Sequence, residues 1–137
     1  MTQRTDRGAK AELWVEFGAM NAFSAGGFLA AIGVLLGAFG AHALRHLDPP
    51  RLAWWGTATQ YLFVAAFGML LSGTIDRTQR IGWGPATALL AGAVFFSGSL
   101  YTMALGGPRW LGAVTPVGGL SLVAGFVWMA VRALGSR

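Results

Sequence analysis

A chain of 137 residues that is 55% hydrophobic and 11% charged cannot cover a water-facing surface, since soluble domains carry about 25% charged residues. Ten Lys and Arg against five acids give a net charge of +5, but these basic residues sit in short flanks between apolar runs. That pattern belongs to membrane topology rather than to a nucleic-acid surface, and the absence of cysteine excludes disulfides and thiolate metal sites. Residues 1–9 are polar and are expected to fray. A helix is expected from about Lys10, with Glu12 and Glu16 near its start, where acids suit the dipole. The first charge-free window runs from Phe17 to Leu44 and predicts span one at about 17–41. Ala41-His42-Ala43 matches a signal-cleavage pattern, but the apolar run before it exceeds a signal core of about 7–15 residues and follows two acids. Span one is therefore expected to stay uncleaved. Its Gly26, Ala30, Gly33, Gly37, and Gly40 or Ala41 recur in steps of three and four, a stripe that lets another helix approach closely, either one of this chain, the preferred reading, or one of a second copy.

Residues 45–51 include Pro49 and Pro50 and predict the first turn. The window Leu52 to Ile75 predicts span two at about 53–75, with Thr57, Thr59, Gln60 and Tyr61 in its first half. The amide of Gln60 is costly in lipid and is expected to face the bundle. Asp76 to Arg80 reads as a short polar loop. The window Ile81 to Pro108 predicts span three at about 84–105, ending in Phe96-Ser97-Gly98-Ser99-Leu100-Tyr101. Gly106-Gly107-Pro108-Arg109 predicts a turn. Span four, at about 112–132 in the window Trp110 to Val131, starts either at Trp110 with a kink at Pro116 or at Pro116 with Thr115 as cap. The second is preferred, because proline suits a first helical position. Gly118, Ser121 and Gly125 form another small-residue stripe.

Each window can cross the hydrocarbon as a helix, and none alternates polar with apolar as a barrel strand does. The expected fold is all-α: a single-domain four-helix transmembrane bundle with up-down topology. Seven Lys and Arg fall on the side of the termini and middle loop against three on the other, so both termini are expected in the cytoplasm. Trp14, Trp54, Trp55, Trp83 and Trp110 fall near span ends and read as an aromatic belt. The expected location is a membrane, with the bilayer as the first partner and no nucleic acid.

Up-down connection brings His42, Thr57, Gln60, Tyr61, Ser97, Ser99, Tyr101 and Thr115 toward one side, the non-cytoplasmic one. A polar cluster is predicted there, either as hydrogen-bond glue or as a binding or proton-linked site with His42 as its titrating member. His42 and His46 share a four-residue spacing, but no further His and no Cys complete a metal site, and Asp48 is the one nearby carboxylate. No catalytic, metal or cofactor residues are assigned. Two functions follow from these features. The first is a structural or accessory protein that packs against a membrane partner or itself through the stripes at Gly33, Gly37 and Gly40 and at Gly118, Ser121 and Gly125. The alternative is a binding or transport module for a lipid, quinone or small solute around His42.

Gly37-Ala38-Phe39-Gly40-Ala41-His42, the Phe96 to Tyr101 motif and Thr115-Pro116-Val117-Gly118-Gly119 occur in order and in matching spans. Together, over about residues 20 to 132, they resemble the YgdD family, the domain of unknown function 423, whose eukaryotic relative is transmembrane protein 256. The resemblance implies a small integral membrane protein, at the inner membrane in bacteria, and brings no activity with it. The family tends to carry a second histidine a few residues after the tyrosine matched by Tyr61, where this chain has Ala65. A two-histidine site is thereby disfavoured here.

Overall fold

The computed structural model describes residues 3–135, with side chains from Ala22 to Gly135. Expectations for the side chains of Lys10, Glu12, Trp14 and Glu16 lie outside the described residues. Four stretches are long and apolar enough to cross a membrane: Ala22–Ala43, Pro49–Gln79, Gly84–Ala104 and Arg109–Gly135. Helix α1 covers Gln3–Ala43, starting ahead of the expected Lys10, and α2 covers Pro49–Gln79. Span three divides into α3 (Gly84–Gly92), a π-helical segment (Ala93–Ser97) and α4 (Gly98–Ala104). Span four opens as a 3-10 turn (Arg109–Ala113) and continues as α5 (Thr115–Gly135). The helices run up and down, as the charge-bounded windows require.

Helix α2 is the centre of the arrangement. It packs along α1 on one side and along span three on the other, and α5 packs chiefly on α3 and the π segment. The core between α2, span three and α5 holds Leu62, Ala65, Met69, Leu89, Ala93 and Leu122. Ala65, at the position where the family resemblance implies a histidine, is 0% exposed in that apolar cluster. Helix α1 joins through its glycines. At Gly26 an added Cβ would stand 2.8 Å from both the Ala66 carbonyl oxygen and the Leu70 nitrogen of α2, so the two backbones are in contact.

The ends of the elements follow their caps. Asp48 leads into α2, with proline in the first helical positions, where a missing N–H costs nothing. Helix α2 runs through the expected loop to Gln79. Asp76 is buried there, because its carboxylate accepts the Gly82 N–H at 2.6 Å and closes the turn. At the end of α4, Gly106 takes φ 96°, with Gly106 N–H donating to Met103 and Gly107 N–H to Thr102, a Schellman cap. The start of α5 at Thr115 agrees with the proline argument, but the Thr115 hydroxyl does not cap the helix forward. It reaches back to the Leu111 carbonyl at 3.3 Å and sideways to span three.

Candidate functional site

Three helices meet at Trp55, near the α1–α2 turn. The residue is 5% exposed, which takes it out of the expected aromatic belt. Consecutive helical residues point about 100° apart, so of the adjacent pair Trp54 and Trp55 one turns inward. The Trp55 indole N–H donates to the Leu36 carbonyl of α1 at 2.9 Å. The ring lies against Gly40, where any Cβ would collide with it. Phe39 flanks it at 5.8 Å between centroids.

One turn along α2, the Thr59 hydroxyl donates to the Trp55 carbonyl at 3.0 Å. A hydroxyl carries one proton, so Tyr101 of α4, 2.8 Å away, is the donor to Thr59 Oγ1. The Tyr101 and Trp55 rings meet edge-on with centroids 4.5 Å apart. An indole, a hydroxyl and a phenol thus tie α1, α2 and α4 together. Tyr101→Phe keeps the ring contact and removes the donor. It is expected to lower unfolding free energy in detergent by about 0.6 kcal/mol, the usual size of such an interhelical bond. Titration of the folded fraction with a denaturing detergent measures this.

A second pair ties α4 to α5. The Ser99 hydroxyl donates to the Phe96 carbonyl at 2.9 Å and lies 2.7 Å from Thr115 Oγ1. Close by, Gly118 of α5 rests directly on the backbone of Phe96 in the π segment.

The eight residues expected in one cluster are therefore divided. Tyr101 joins Thr59 and Trp55, while Ser99 joins Thr115. Ser97 is buried, with no partner for its hydroxyl. Thr57 is half-buried. Tyr61 is 38% exposed and leans on the Phe96 ring at 4.5 Å. Gln60 and His42 are exposed, contrary to the expectation that they face inward. The cause is angular: α2 turns Trp55, Thr59 and Leu62 inward, which sends Gln60 out, and α1 has one inward face, already filled by glycines. Thr59 and Trp55 are the members that sequence reasoning missed. The signal for Trp55 is the bare backbone of Gly40 in the Gly37 to His42 motif.

The small-residue stripes have partners inside the chain. Gly33 lies under the Phe63 ring at 3.1 Å and Gly37 beside Thr59 at 3.6 Å, measured from an ideal Cβ. Gly125 meets Leu89 at 2.8 Å, and the Ser121 hydroxyl donates to the Ala88 carbonyl at 2.8 Å. Gly33, Gly37, Gly40, Gly118, Ser121 and Gly125 thus face neighbouring helices of the same chain, not open surface. Among the described residues, no three His, Asp or Glu side chains gather as metal ligands.

Residues 36–119 match the family described as "Protein of unknown function (DUF423)". That range contains both polar ties and the Gly40 and Gly118 contacts. The chain is 38% identical over 132 residues to the UPF0382 membrane protein YwdK of Bacillus subtilis, covering 90% of this chain and 97% of that one. It is 40% identical over 104 residues to the UPF0382 inner membrane protein YgdD of Escherichia coli, covering 74% and 79%. A UPF0382 membrane protein of Staphylococcus saprophyticus is 37% identical over 126 residues, covering 88% and 95%. No solved structure matches the chain. With four helices fit to cross a bilayer and a relative named for the inner membrane, this is an integral inner-membrane protein. The chain belongs to the DUF423 family.

Proposed function

We propose that this protein is a non-catalytic accessory component of the membrane, which packs an outward helix face against another membrane protein or a second copy of itself. Gln60 carries this reading. It is exposed on α2, and among the described residues its side chain has no hydrogen-bond partner. At about 1.5 Å per residue it lies about 14 Å along the helix from Arg51, deep in a hydrocarbon layer about 30 Å thick. Lipid tails offer an amide nothing, whereas a neighbouring helix offers carbonyls, hydroxyls or another amide. Gly56 is exposed one turn earlier, with nothing within 4 Å of where a Cβ would stand. A partner helix can therefore come into backbone contact beside the amide. The bias of Arg77, Arg80 and Arg132 supports a cytoplasmic placement of both termini. The polar ties around Trp55 and Ser99 are spent on holding helices of this chain together.

The test uses a photo-crosslinking amino acid at Gly56 in native membranes. A protein adduct is expected, and adding Gln60→Leu is expected to lower its yield several-fold. Adducts to lipid alone, or a yield indifferent to Gln60→Leu, overturn the reading. The mass of the adduct tells a second copy from a different partner.

A further inference from the structure

Arg51 has a post that the Trp55 cluster does not use. Its Nε donates to the Ala104 carbonyl at 2.6 Å, the one carbonyl of the last turn of α4 that the Schellman cap leaves over. Asp48 Oδ1 lies 3.8 Å from the same Nε. Among the described residues the two Nη groups have no hydrogen-bond partner, and an added Cβ on Gly106 would stand 3.2 Å from Nη2. The guanidinium is thus fixed by its inner edge across the α4–α5 turn, and its outer edge borders a cleft of about 730 Å³. Arg109, exposed at the start of the 3-10 turn, borders the same cleft, with Trp54 and Met103 as its apolar wall and Asp48 as its acid.

Two guanidiniums and one carboxylate leave one positive charge on this cleft. It lies where spans two and four begin, at the depth where hydrocarbon gives way to water. A ligand that suits it has one anionic head and an apolar body. A pre-fixed guanidinium loses little freedom on binding and matches the oxygen pair of a phosphate. We infer that the cleft binds the phosphodiester of a singly anionic glycerophospholipid. The phosphate lies between the Arg51 Nη groups and Arg109, and an acyl chain lies along Trp54 and Met103. This site is separate from the Gln60 face and stands whether or not that face takes a partner.

Native mass spectrometry of the full chain in mild detergent, with phosphatidylglycerol and phosphatidylcholine added in equal amounts, tests it. Phosphatidylglycerol is expected to be retained about five-fold over phosphatidylcholine, the scale of one basic contact at a membrane surface. Arg109→Gln removes no side-chain hydrogen bond or ion pair among the described residues, so the variant is expected to fold, and the preference is expected to fall to parity. Arg51→Lys retains charge but loses the fixed fork, and is expected to lower the preference partway. Arg132→Gln, exposed on span four far along from Arg109, is expected to change nothing. Equal retention of the two lipids in the parent chain overturns the inference. So does a loss with Arg132→Gln as large as with Arg109→Gln, since that assigns the preference to overall charge. Millimolar inorganic phosphate is expected to leave the lipid bound; displacement by it assigns the cleft to a soluble phosphate and overturns the lipid as source.

Discussion

Gly118→Ala is expected to destabilise the protein by about 1–3 kcal/mol, the cost of overpacking a tight contact. An added Cβ at Gly118 meets the Phe96 backbone nitrogen, with the Phe96 Cα at 2.7 Å and the Phe95 carbonyl carbon at 2.8 Å. These are main-chain atoms of the π segment and cannot swing aside as a side-chain tip does. Gly119→Ala is the internal control. Its Cβ meets only the Phe96 ring, at 3.5 and 3.6 Å, which is ordinary contact. There the better helix propensity of alanine is expected to leave stability unchanged or raise it by up to ~1 kcal/mol. Unfolding of both variants in mixed micelles gives the comparison. If the two behave alike, α5 does not rest on the main chain of span three.

Trp55→Ala is expected to cost about 3–5 kcal/mol, the range for removing a large buried aromatic side chain. The loss combines a buried ring, the bond to the Leu36 carbonyl and the edge contact with Tyr101. Trp55→Phe divides these effects. It keeps most of the apolar body and removes the N–H, for about 1 kcal/mol. Helix α1 is attached almost wholly through α2, so its hold should loosen first. Faster tryptic cleavage at Arg45, in the turn between them, is the accompanying sign. A Trp55→Ala protein as stable as the parent removes the indole as the clasp between α1 and α2.

The four spans were legible because charge marks their ends. A main chain in lipid has to satisfy itself, so the length of each uncharged run fixed helix and crossing together. The start of α5 was legible from Thr115-Pro116, and the meeting of Ser99 with Thr115 followed from the order of spans. Facing was less legible. Membrane helices are apolar on every side, so the pattern that reveals an inward face in water is nearly absent. The cost of an amide in lipid argues Gln60 inward and the order of spans argues His42 inward, yet Thr59, one residue from Gln60, and Gly40, two from His42, hold the contacts. The position of Trp55 near a span end argues for a boundary residue. The bare backbone of Gly40 opposite was the missing half of that signal, and pairing the two needs the register of α1 against α2. Nothing in Ala93-Val94-Phe95-Phe96-Ser97 distinguishes a π segment from ordinary helix.

That five-residue segment has a consequence for the whole of span three. A π bulge is in effect one inserted residue, and one residue is about 100° of rotation. It therefore sets a phase difference between the two halves of the span. Before it, Leu89 and Gly92 are aimed at Gly125 and Leu122; after it, Ser99 is aimed at Thr115 and Tyr101 at Thr59. Gly92 and Ser99, on either side of it, both meet α5, at Leu122 and Thr115. The insertion slackens the winding of span three at the level where α5 comes down onto its main chain at Phe96.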